Sequence, residues 1–276
     1  MLASQTWPPE LCEATMLLPQ MWLRKRKLES LLKDYPLYDP PHKVEERLLP
    51  KEQAQENFDY FMRVRKERSA YFVKWLRDEF DATISPDSKG VDALGKWLIK
   101  FGGLLFPSDE VYNSYFSYDP PWTGEGAGCN VVFDAGIAFG EIIIANCPML
   151  RWEMGPVSKG LSAKDIKIAK SEFGLEFQRP EITGFDDPWA GAAPLTAVHQ
   201  IAHQIRKATT FEERNKYFGK FGLSVKKLEC RLSISFENIL DGYINGSLLD
   251  RYKRDHGIDL KKMSLDDASD EGDNDV

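Results

Sequence analysis

Residues 51–80 set the clearest rhythm in the chain. Phe58, Phe61, Met62, Tyr71, Phe72, Trp75, Leu76 and Phe80 recur near the 3.6-residue period, with charges between them. That spacing predicts a long amphipathic helix with one face on a core. Residues 129–154, CNVVFDAGIAFGEIIIANCPMLRWEM, behave differently. From Val131 to Ala145 apolar residues occupy every side, with only Asp134 and Glu141 charged, so this helix belongs in the middle of a domain. Pro148 cannot continue it. Leu150 to Met154 then alternates apolar and charged residues with the period of a strand.

Weaker patterns complete the order of elements. Gln20 to Lys33 places Leu28, Leu31 and Leu32 on one helical stripe behind the basic run Arg24–Lys27. Pro36, Pro40, Pro41 and Pro50 then mark an extended arm that could lie against the body. Ser85-Pro86 reads as an N-cap followed by proline at the first helical position, opening a helix that runs to about Phe101. Gly102-Gly103 stops that helix, and Leu104–Phe106 reads as a short strand. Pro107–Gly128 reads as an irregular, aromatic-rich connection. Gly174–Phe185 is expected as an edge or bulged strand, because Pro180 lies inside it, and it would pair with Leu150–Met154. Pro194–Ala208 is a helix with Ala197, Ile201, Ala202 and Ile205 apolar. Ser162–Lys170 is ambiguous between helix and strand. Further helices are expected from Phe211 and over Ser235–Leu249, and Tyr252–Met263 is expected to be peripheral.

The fold class expected is α+β, a mostly helical single domain with a small antiparallel sheet beside a buried central helix. Residues 1–50 form an N-terminal helix and Pro-rich arm, 51–263 the globular domain, and 264–276 a disordered acidic tail.

Composition changes this picture little, but charge refines it. The 276 residues carry a formal net charge of −7. Six acids lie after Met263 with no Lys or Arg, leaving the body near −1. A nearly neutral body argues against nonspecific nucleic-acid binding. The four cysteines, Cys12, Cys129, Cys147 and Cys230, form no CxxC pair and read as reduced thiols. The N-terminus does not read as a signal peptide, and no stretch reaches about 18 uncharged apolar residues. A cytoplasmic protein is expected.

Several constellations could carry chemistry. Asp134 and Glu141, seven apart on one helix, share a face. With Arg151 and Glu153 on the following strand they form a candidate polar core site. The carboxylates are read either as an acid or base or as structural acceptors from an arginine such as Arg151 or Arg179. His199 and His203 have the i, i+4 spacing of metal ligands, but Gln200 replaces the glutamate of HExxH and no third ligand follows. They read as residues at a polar helix margin, and no metal or cofactor is expected. Gly124, Gly126 and Gly128 precede a helix without either nucleotide fingerprint. Gly136 and Gly140, with Ala135, Ala138 and Ala145, point to tight internal packing rather than a dimer face, and a monomer or homodimer is expected. The run Arg24–Lys27 is read as a contact for phosphate or an acidic partner, or as a solvated helix face. Arg63, Arg65, Lys66 and Arg68, with Glu56, Asp59 and Glu67 beside them, read as a salt-bridged exposed face. Tyr112, Tyr115, Phe116, Tyr118 and Trp122 either cover the central helix or form a partner-binding surface.

The pattern FDAGIAFGEIIIANCPMLRWEM, with FQRPEITGF downstream, resembles bacterial helix-plus-sheet families of unassigned activity, over roughly Leu94 to Phe185. Some related families resemble immunity proteins, which bind and neutralise a toxin. The resemblance implies a non-catalytic protein that binds another protein and brings no catalytic residue. An enzyme using Asp134, Glu141 or the His199/His203 pair in a pocket is the alternative.

Overall fold

The computed structural model describes residues 22–155, 176–185, 191–209 and 236–237. It is an α+β fold, mostly helical, with a two-stranded antiparallel sheet. In chain order the helices are α1 (22–32), α2 (Lys51–Phe80), α3 (Ser88–Phe101), α4 (Asp109–Ser114), α5 (Gly128–Asn146) and α6 (Pro194–Thr209). The strands β1 (Arg151–Met154) and β2 (Pro180–Thr183) lie between α5 and α6.

Helix α5 is the axis of the molecule. All but one of the residues from Gly128 to Ile143 are buried; Glu141 is partly exposed. Its close neighbours are α2 and α6, and glycine decides how near they come. A Cβ on Gly136 would lie 2.7 Å from the Leu195 Cα, and one on Gly140 would lie 2.2 Å from the Trp152 indole. With the turn before it, this helix is long and apolar enough to cross a membrane, yet 89% of that stretch is buried inside the protein. It is a core helix here.

Helix α2 buries Phe61, Phe72, Trp75 and Leu76 on α5 and α3, whereas Tyr71 remains 39% exposed. Its last residue is followed by Asp81 at φ 54, a left-handed C-cap that closes the helix. Asp87, not Ser85, caps α3, its side chain accepting from the Gly90 amide at 3.1 Å. After α3 the chain makes a 3-10 turn over Gly102–Leu104, so the strand expected at Leu104–Phe106 does not form. The aromatic connection is also more regular than its sequence suggests: Ser108 caps α4, and another 3-10 turn covers Gly124–Ala127.

The Pro-rich arm lies on the body. Tyr35 and Tyr38 are buried in the same core as α2 and α5, and Tyr38 packs 4.2 Å from Phe133, ring to ring. Strand β1 pairs with β2 in the register Arg151↔Thr183, Trp152↔Ile182, Glu153↔Glu181 and Met154↔Pro180. Trp152 and Ile182 therefore share the buried face. Pro180 opens β2 rather than interrupting it, because 176–179 is a turn. The expectations for Ser162–Lys170, for the helix from Phe211, for most of Ser235–Leu249, for Tyr252–Met263 and for the acidic tail lie outside the described residues. Phe236 is buried in the core.

Candidate functional site

The carboxylates of α5 come first, because a charge in an apolar helix must be satisfied. Asp134 is fully buried. Arg68 grips it with two bonds, Nε to Oδ1 at 2.6 Å and Nη2 to Oδ2 at 3.0 Å, and the Tyr35 hydroxyl donates to Oδ2 at 2.9 Å. The remaining Arg68 donors reach the carbonyls of Leu37 at 3.1 Å and Pro36 at 3.2 Å. Burial pushes the Asp134 carboxyl up to about 6, while Arg68 and Tyr35 pull it down, so it is ionised at neutral pH. This network staples the arm to α2 and α5. Arg68 is thus buried rather than part of an exposed charged face.

Glu141 accepts from Arg65 and, at 2.9 Å, from the Trp152 indole N–H. Arg151 and Glu153 bond to each other at 2.7 Å on β1, where the Arg151 side chain is 62% exposed. The residues grouped from sequence as one polar site therefore sit in separate places. Arg179 pairs with neither α5 carboxylate. It is buried beside Glu46, Nη1 to Oε2 at 4.0 Å, with its guanidinium over the Phe116 ring. Tyr118 donates to the other Glu46 oxygen. Burial raises the Glu46 carboxyl.

The aromatic connection faces inward. Tyr115, Phe116, Tyr118 and Trp122 are buried and Tyr112 is half-buried. In this conformation they form core, not a contact face. The rings stack into a column: His203 on Tyr112 at 3.8 Å, Tyr112 on His199 at 4.2 Å, His199 on Tyr115 at 4.2 Å, and Tyr115 on Trp122 at 5.4 Å. His199 is therefore a core residue and not at the helix margin expected, whereas His203, stacked on the half-buried Tyr112, is partly exposed. Burial pushes His199 down to about 3, so it is neutral, and its Nε2 lies 3.2 Å from the Tyr112 carbonyl. Among the described residues no group of three or more His, Cys, Asp or Glu could hold a metal ion.

What the structure does present is a cleft of about 990 Å³ at the N-terminal end of α5. One wall is α1 with Lys25, Glu29 and Lys33, and the opposite wall is the last turn of α6 with Arg206 and Lys207. Leu32, Leu105, Phe106, Pro107 and Trp122 supply apolar lining, and the exposed Leu37 of the arm stands at its edge. Asp109, at the start of α4, is shared by Arg206 and Lys207, the latter at 3.4 Å. Glu125, on the turn before α5, adds an acid. The volume lies at the upper end of the roughly 300–1,000 Å³ of ligand pockets. The sequence signal for the first wall was the basic run; Lys33 and the Arg206-Lys207 pair, far apart along the chain, gave none.

No protein-family model, no curated protein and no solved structure matches this chain. The functional reading rests on the cleft and its chemistry.

Proposed function

We propose that this protein is a non-catalytic binding module that holds a segment of another protein in the cleft between α1 and α6. The cleft carries this reading: it combines an apolar lining with charged walls, as binding sites do. Of the aromatic residues first considered for this role, Trp122 backs the cleft from inside. The enzyme alternative loses support at Asp134, whose lone pairs are committed to Arg68 and Tyr35. We place the protein in the cytoplasm, a reading supported by Cys129 and Cys147 being buried free thiols.

The test is a photo-crosslinking amino acid placed at Leu37, at the cleft, and in a second variant at Met149, beyond the other end of α5. Exposure of native cells to light should give one dominant protein adduct from position 37 and none from position 149. Equal adduct patterns from both positions would overturn the proposal.

A further inference from the structure

We infer that the outward face of α1 docks on an anionic lipid surface, with Trp22 and Leu23 entering the interface and the basic run lying on the headgroups. The helix is seated on the body along one side only. Leu28 is buried, Leu31 and Leu32 pack half-buried on the same core, and the Lys27 ammonium donates to the Glu79 carbonyl and lies over the Phe80 ring. That seating turns the other side outward, where Trp22, Leu23, Lys25, Arg26 and Lys33 are exposed. Exposed apolar residues scattered singly are ordinary. Trp22 and Leu23, 54% and 60% exposed, are the only consecutive pair of large exposed apolar side chains among the described residues. The Arg26 guanidinium lies 4.6 Å above the Trp22 ring.

Charge selects the partner. Residues 22–34 carry five cations, Arg24 to Lys27 and Lys33, against two acids, Glu29 and Asp34, in a chain whose net charge is −7. Lys27 is spent on α2, and the Lys25–Glu29 contact, 3.8 Å between side chains both 59% exposed, cancels little. A positive island on an acidic protein is drawn to the anionic lipids of a cytoplasmic leaflet, and the acidic remainder keeps α1 turned towards them. The apolar pair selects further. Trp suits the headgroup level, where its ring is apolar and its N–H stays wet, and Leu23 gains by reaching the acyl boundary beneath. A nucleic acid would use the cations and the Trp22 ring but leave Leu23 in water. With 11 residues α1 is too short to span a bilayer, so it lies on the surface.

The test is co-sedimentation of the purified full chain with unilamellar vesicles of phosphatidylcholine alone and of phosphatidylcholine with about 30% phosphatidylserine. Binding to the anionic vesicles and not to the neutral ones is expected, fading as salt rises from about 0.1 M to about 0.5 M. Lys25→Glu combined with Arg26→Glu should weaken it by about tenfold. Trp22→Ser combined with Leu23→Ser should weaken it by about the same factor. Both pairs are exposed, and an unchanged urea midpoint shows that each variant is folded. Lys66→Glu, at an exposed position about 20 Å back along α2 from Glu79, should leave binding unchanged. No binding to either vesicle, equal binding to both, indifference to either pair of α1 substitutions, or tighter binding of a single-stranded RNA would each overturn the inference. No second protein is present in this experiment, so its outcome is independent of the binding-module reading.

Discussion

Arg68 and Asp134 set the stakes at the scale of single residues. Taking both charges out of water is costly, and the return depends on every donor and lone pair being used. Here Arg68 spends its fork on Asp134 and its other donors on the carbonyls of Pro36 and Leu37. Asp134→Ala would leave a buried guanidinium without its counter-ion and should cost about 3–5 kcal/mol of stability in urea unfolding. The double variant Arg68→Met, Asp134→Leu should recover most of that loss if the pair serves structure alone. His199 gives a separate signature in pH. Its folded value lies near 3 and its unfolded value near 6.5. Between those values the unfolded chain binds the extra proton, so stability should fall as pH drops from about 6.5 towards 3. Glu181 acts in the opposite sense at its own site: burial first, then Glu176 and Glu153, push it up to about 7. Its share of stability is full below the ordinary carboxylate range and fades as pH rises to about 7. Thermal unfolding across pH should show a smaller acid-side loss in His199→Phe, whose ring can keep the stack.

Among the elements, the contact of α5 with α6 and the sheet depends on absent side chains. Gly136→Ala and Gly140→Ala each drive a methyl into a neighbour, the second into the Trp152 indole. Each should destabilise by about 1–3 kcal/mol, measured as a lower urea midpoint at constant m-value. The helices themselves were legible in the sequence because period and punctuation agreed. Residues 51–80, bounded by Pro50 and the left-handed Asp81, show the expected span, and the apolar run around Val131–Ala145 lies at the centre. Leu104–Phe106 was not legible, since three apolar residues after a glycine pair suit a 3-10 turn as well as a strand. Nor were the inward positions of Arg68 and His199. Both sit on helices where polar residues ordinarily mark the solvent face, and only tertiary partners, Asp134 and the Tyr112 and Tyr115 rings, reverse that rule.

Among the described residues, an arm, three long helices and a small sheet are gathered on α5, with a cleft between α1 and the end of α6. The cleft was almost invisible in the sequence. Its walls come from residues 25–37, 103–109, 122–127 and 206–207, and no local pattern links positions that far apart. The basic run on α1 was the one part that could be read, and it could be read as solvated surface equally well. The measurement that tests the central claim most directly is the crosslinking comparison at Leu37 and Met149 in native cells. A dominant protein adduct at position 37, absent at position 149, is the predicted result. Adducts that are the same at both positions would contradict the account.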